Sequence, residues 1–276
     1  MSDPPLTPRA PRVLRVEQVM GTAFGVDVRD SDVAGESVES AIDMVFESLR
    51  EVDARFSTYR GDSEISRLSR GQVLPRDCHA DVREVLWLCD EVERASGGVF
   101  SARRDGALDP SALVKGWSAE RAALILQLAG MRSFSINAGG DVLLRGEAAP
   151  GEAWRVGIRH PDDPKRMAAV LALRSGGVAT SGLYERGPHI APARAGSAMP
   201  ELLSMTVVGA SLTYADAYST AAFAMGTRGV RWVAEVLPGY EAYAVTAERR
   251  AVWTPGMDAL LQAAPLPRRT QRFPES

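Results

Sequence analysis

The sequence predicts an α+β protein, a mainly antiparallel sheet with packed helices, on three observations. Apolar residues recur at helical spacing in the first half of the chain, at Val38, Ile42, Val45, Phe46, Leu49 and Val52, and again at Val82, Val85, Leu86, Cys89 and Val92. From Phe134 onward the texture changes to short apolar runs separated by Gly, Pro and Asp, as in strands joined by tight turns. Helices and strands therefore come in blocks, without the strict βαβ alternation of a doubly wound sheet.

Taken in order, residues 13–20 and 22–28 alternate as two strands interrupted at Gly21. The Val38 to Val52 stripe marks a helix of about four turns. The next helix, through Val92, ends before Gly97 and Gly98, and a third runs from near Lys115 to Ala129, with Gly130 just past its end. Strands follow at 134–136, 142–144, 154–158, 169–173 and 205–208. A fourth helix begins near Asp216 and ends at Gly226, another follows through Val236, and residues 242–246 and 251–254 close as a hairpin. The expected organisation is one domain over 13–264, in one or two interlocked lobes. A disordered segment 1–12 precedes it and a loose tail 265–276 follows, carrying Arg268, Arg269 and Arg272.

Composition narrows the function. With 276 residues, 45% hydrophobic and 24% charged, the chain can bury a sizeable core and is neither disordered nor fibrous. A net charge of −3 leaves no electrostatic footprint for nucleic acid or an anionic membrane. Residues 1–11 are polar and Pro-rich, and no run approaches the ~18 apolar residues of a spanning helix. The expectation is a cytoplasmic protein with no membrane insertion. Cys78 and Cys89 are the only cysteines, and Cys89 lies on an apolar stripe, so buried thiols are expected rather than a disulfide or metal ligands. There is no Walker loop, no Gly-x-Gly-x-x-Gly after a strand and no Gly-x-Ser-x-Gly elbow.

Five segments carry chemistry-bearing residues, each with a plain structural alternative. Asp216 and Thr220 are spaced so that on a helix they share a face and can meet one hard cation; Thr213-x-x-Asp216 equally fits a capping box. Asp109 and Lys115 flank a helix entrance, where a polar group and a cation suit phosphate; a turn with a solvent-facing lysine explains them as well. Asn137-Ala-Gly-Gly-Asp141 permits close backbone approach to a ligand, or simply a hairpin. Thr180 and Ser181, in Val178-Ala-Thr-Ser-Gly182, suit phosphate or ribose contacts, or a turn. His189, in Gly187-Pro-His-Ile190, can take a proton from an attacking hydroxyl or serve as a hydrogen-bonded structural residue. His79 and His160 have exposed-looking neighbours and are expected at the surface.

In order, these segments resemble the ApbE family, the FAD:protein FMN transferases. The matches are Met20-Gly-Thr22; Phe56-Ser-Thr-Tyr-Arg60 with Asp62-Ser-Glu-Ile-Ser66; Asp109-x-x-Ala112-x-x-Lys115-Gly116; Asn137-Ala-Gly-Gly-Asp141; Trp154-x-x-Gly-Ile158; Ala179-Thr-Ser-Gly-x-Tyr184; His189-Ile190; and Ala215-Asp-x-x-x-Thr220. The resemblance implies an ApbE or T-fold-like domain that binds FAD through Met20, Tyr59, Asp109, Lys115 and Ile190, with Thr180 and Ser181 as phosphate or ribose contacts. It implies Mg²⁺ held by the Ala112 main-chain carbonyl with Asp216 and Thr220. Ser219 stands where some members carry a further acidic ligand.

The implied reaction moves the FMN half of FAD to a Thr or Ser hydroxyl of an acceptor flavoprotein and releases AMP, with His189 and Asp216 as catalytic residues. Three departures stand out. Pro192 replaces the acid that usually follows the His-Ile pair, the loop before Asp109 is short, and the export signal of many relatives is missing. Two rival readings share the site: a Mg²⁺-dependent FAD pyrophosphatase giving FMN and AMP, and a non-catalytic FAD-binding protein.

Overall fold

The computed structural model describes residues 12–30, 32–104, 106–183, 200–262 and 270–272, and its first alternating segments form β1 (Val13–Val19) and β2 (Thr22–Val28). Met20 and Gly21 join them as a two-residue turn with φ of 55° and 72°. That is the type I′ hairpin geometry, whose twist matches the flanking strands. The first apolar stripe forms α1 (Gly35–Phe56), 22 residues and so longer than the stripe predicts. Its last turn continues into a second core through Val52 and Phe56.

A short helix α2 (Glu64–Ser69) follows where the sequence reading placed none; Ser63 Oγ caps it by accepting the Ser66 N–H at 3.1 Å. Next come α3 (Ala80–Ala95), the strand pair β3 (Arg103–Arg104) and β4 (Ala107–Leu108), and α4 (Ser111–Leu128). α4 starts a full turn earlier than expected, because it is apolar around most of its circumference and has no polar edge to mark its beginning.

The second half supplies β5 (Phe134–Ala138), β6 (Asp141–Arg145), β7 (Trp154–His160), β8 (Asp163–Leu173), β9 (Gly176–Gly182) and β10 (Leu202–Gly209). Then follow α5 (Leu212–Ala224), α6 (Arg228–Val236), β11 (Glu241–Thr246), β12 (Ala251–Trp253) and β13 (Thr270–Arg272). Two expectations are corrected. The Val178 to Gly182 segment is a strand, not a turn, and α5 begins at Leu212, so Asp216 lies inside the helix rather than at its cap.

Among the described residues nine strands form one sheet in the order β1-β2-β5-β6-β9-β10-β11-β12-β13, antiparallel except for the β12–β13 pair. β7 and β8 form a separate hairpin. One sheet face packs against α1, α4, α5 and α6 in a large core around Phe24, Phe46, Phe134, Ile42, Leu49 and Leu126. A second core binds α2, α3 and β4 to the same helices. A third lies between the opposite sheet face and the β7–β8 hairpin, around Trp154, Ile158, Leu171, Val208 and Tyr243. Among the described residues no helix is long and apolar enough to cross a membrane.

Candidate functional site

The site lies where the β1–β2 and β5–β6 turns meet the starts of α4 and α5. The β5–β6 turn is Gly139-Gly140, with φ of 65° and 111°. A Cβ on Gly139 would sit 2.4 Å from Thr22 Oγ1, so only glycine lets the two turns close on each other. The Gly139 N–H donates to the Ala23 carbonyl at 3.0 Å and locks that contact.

The helices approach as closely. A Cβ on Gly116 of α4 would lie 2.5 Å from the Leu212 carbonyl oxygen at the start of α5. This proximity lets the Gly116 N–H donate to Asp216 Oδ2 at 3.1 Å. In a regular α-helix that N–H would serve the Ala112 carbonyl, so the carboxylate of α5 bears on the carbonyl of interest in α4. Glu120 fixes the other end of the junction: its Oε1 accepts the Leu212 N–H at 2.6 Å, and its Oε2 accepts from Arg145 at 2.8 Å. An anion at the α5 N-terminus is favoured by the helix dipole. Glu120, not Asp216, therefore caps this helix.

Lys115 reaches between two carboxylates. Its Nζ is 2.6 Å from Asp141 Oδ2 and 3.8 Å from Asp216 Oδ1. Asp141 is 1% exposed, and its Oδ1 accepts the Thr180 N–H at 2.9 Å. On α5, Ser219 is fully buried, bonding Ser181 Oγ at 2.9 Å and the Asp216 carbonyl at 2.8 Å. Thr220 Oγ1 lies 3.3 Å from Ser181 Oγ.

These groups surround a cleft of about 640 Å³, within the ~300–1,000 Å³ typical of ligand sites. Met20, Tyr59, Ala112, Lys115, Thr180, Ser181, Asp216 and Thr220, all expected from the sequence, line it together. Tyr59 stands 98% exposed at its mouth. Asp109 is not among the lining residues: its Oδ1 accepts the Ser111 N–H at 3.1 Å at the start of α4, the plain turn alternative. Ser219 turns away from the lining toward Ser181. His189 and Ile190 lie outside the described residues. Asp53 and Asp141 were missed as site residues: Asp53 had no signal beyond its helix, whereas Asp141 ends the quoted glycine motif.

The donor set suits a hard cation. Asp216, Thr220 and Ala112 offer a carboxylate, a hydroxyl and a carbonyl in one cleft, an all-oxygen set. No group of three or more His, Cys, Asp or Glu able to hold a metal occurs among the described residues. With Asp216 as its one carboxylate, this donor set fits Mg²⁺ that takes its other ligands from phosphates and water.

An α+β fold that closes a lysine, two aspartates and several hydroxyls around such a cleft has the cation and the donors that a phosphate-bearing ligand needs. The ApbE family model matches residues 20–103 and 101–244, and the chain belongs to that family. A FAD:protein FMN transferase of Haemophilus influenzae is 23% identical to it, the match covering 79% of this chain and 82% of that protein. The enzyme of the same name from Salmonella typhimurium is 28% identical over a shorter stretch, 44% of this chain and 37% of its own length. Among solved structures, the flavin transferase ApbE from Vibrio cholerae shares the fold with a TM-score of 0.75 at 19% identity, over 91% of this chain and 100% of that one.

Proposed function

We propose that this chain transfers the FMN moiety of FAD to a Thr or Ser hydroxyl of an acceptor protein, releasing AMP, in a Mg²⁺-dependent reaction. One observation carries the reading: residues scattered from Met20 to Thr220 converge on one cleft, in the fold of a family whose matched relatives bear that activity in their names.

Each residue has a role that its geometry supports. Exposed Tyr59 and the Met20 turn offer apolar surface for the flavin ring. Lys115, held by Asp141, places an ammonium where the pyrophosphate would lie. Ser181, facing α5, presents a hydroxyl for phosphate or ribose oxygens, while the Thr180 hydroxyl is bonded to Thr206 Oγ1 at 2.9 Å. Asp216, Thr220 and the Ala112 carbonyl would hold Mg²⁺, which when bound supplies charge neutralisation on the pyrophosphate and the departing AMP.

The acceptor hydroxyl attacks the FMN-side phosphorus. A new P–O bond forms as the bond to the bridging oxygen breaks; AMP leaves with that oxygen, and the hydroxyl proton passes to His189. The acceptor ends as a phosphoester of FMN.

The test is incubation with FAD, Mg²⁺ and candidate acceptor proteins, followed by mass spectrometry for an FMN adduct on Thr or Ser. Free FMN and AMP beside unlabelled protein would establish the pyrophosphatase instead. FAD bound and intact after Mg²⁺ addition would establish a binding protein.

A further inference from the structure

Tyr59 stands at the mouth of the cleft with 98% of its surface exposed, so almost nothing beside it holds its ring. Its height over the cleft is therefore set by the backbone that carries it, the turn 57–62 between α1 and α2. Core residues anchor that turn at both ends, since Phe56 closes α1 and Ile65 lies in the first turn of α2, both in the second core. Within the turn, hydrogen bonds converge on Ser57. Ser63 Oγ donates to the Ser57 carbonyl at 2.7 Å, and Ser66 Oγ reaches the same oxygen at 3.4 Å. The Ser57 N–H is fixed in turn to the Asp53 carbonyl at 2.9 Å. Further along, the Ser63 N–H donates to the Arg60 carbonyl at 3.2 Å, and Arg70 donates to the Gly61 carbonyl at 2.5 Å.

We propose that Ser63 is a positioning residue for the flavin: its bond to the Ser57 carbonyl holds Tyr59 at the height where the phenol ring stacks on the isoalloxazine. The inference rests on the reading of Tyr59 as a flavin contact. Capping of α2 does not account for the geometry of Ser63. A cap needs only a lone pair of the hydroxyl, which the Ser66 N–H takes. The hydroxyl proton is then left over, and it goes to a carbonyl six residues back, at the root of the turn that carries Tyr59. Ser63 is 2% exposed, so water does not compete for that bond. With both the N–H and the carbonyl of Ser57 tied, the turn leaves α1 in one direction. An exposed aromatic on a loose turn must be ordered when it binds a ligand. A turn fixed beforehand removes that cost.

The experiment is a double-mutant cycle on FAD affinity, with the full chain, Mg²⁺ and no acceptor. Tyr59→Ala and Ser63→Ala should each weaken FAD binding roughly two- to tenfold, the range of an aromatic stack. The double variant should lose no more than Tyr59→Ala alone, because Ser63 acts through Tyr59. At saturation, bound FAD should fluoresce more brightly in both single variants than in the parent, since a stacked phenol ring quenches the flavin. Ser63→Gly keeps most of the capping at the start of α2 but has no hydroxyl, so it should bind FAD as weakly as Ser63→Ala. Parent affinity in Ser63→Ala or Ser63→Gly, or losses that add in the double variant, overturns the proposal. Parent affinity in Tyr59→Ala removes Tyr59 from the flavin contacts and the role of Ser63 with it. Transfer is read separately by mass spectrometry, so a chain that binds FAD through this stack but labels no acceptor counts against the transferase reading alone.

Discussion

At the scale of single residues, the cleft holds features that stability alone does not explain. Met20 occupies a left-handed position, φ 55°, that side chains adopt at a cost of about 1 kcal/mol or more. Met20→Gly should therefore leave the melting temperature unchanged or raise it, while weakening FAD binding; a fall in both would make Met20 a structural residue only. Asp141 is buried against Lys115, and Asp141→Asn preserves the acceptor for the Thr180 N–H while removing the opposing charge. A charged hydrogen bond contributes about 1.5–3 kcal/mol, so transfer should drop roughly ten- to a hundredfold. Unchanged turnover in a steady-state assay would remove Asp141 from the positioning of Lys115. His189, as the proposed base, should cost ~10²–10⁴-fold in transfer when changed to Ala, with FAD affinity intact. A wild-type rate at saturating FAD would end that role.

At the scale of elements, the site is a junction between α4 and α5, and Gly116 is its narrowest point. Gly116→Ala would drive a methyl group to 2.5 Å from the Leu212 carbonyl, and backbone cannot yield as a side-chain tip does. Overpacking of this kind costs about 1–3 kcal/mol. The variant should unfold at lower denaturant and also bind FAD more weakly, because Asp216 loses the Gly116 N–H. Normal FAD affinity in a destabilised protein would separate packing from site. The same junction explains what was legible in the sequence. α1 and α3 face solvent on one side, so their apolar stripes are visible and their existence was predicted. α5 is buried nearly all round and α4 carries apolar residues on its exposed face as well, at Leu124 and Leu128, which erases the stripe, so the sequence places both starts too late. β9 is not legible as a strand because its small residues suit ligand contacts or a turn equally; they are small because α5 lies on them, with a Cβ on Gly177 reaching 2.5 Å from Leu212 Cα. The cleft itself was legible only as ordered motifs, since no spacing rule brings Lys115, Asp141 and Asp216 together.

At the scale of the whole molecule, three cores share one sheet and its helices, and each buries a group that must stay protonated. Burial pushes the Cys89 thiol in the helical core from 9.0 up to about 12. Tyr240, packed on the large core, and Tyr243, inside the hairpin core, are each pushed from 10.0 up to about 12 by burial. Tyr214 is raised by burial and then by its hydrogen bond to Glu91 at 2.8 Å. All four shift upward on folding, so the unfolded chain loses these protons at lower pH than the native one. Their contribution to stability is therefore complete below pH ~9 and declines as pH climbs toward 12. The urea midpoint should hold level on the neutral side and fall steadily above pH ~9, with no change in m-value, because the native surface is the same. Phenolate absorbance supplies the decisive check. Native protein should show Tyr240 and Tyr243 titrating well above the free phenol, and together with unfolding. If both ionise near 10 in the folded state, burial in two of the three cores does not control alkaline stability, and the decline must come from net-charge repulsion instead.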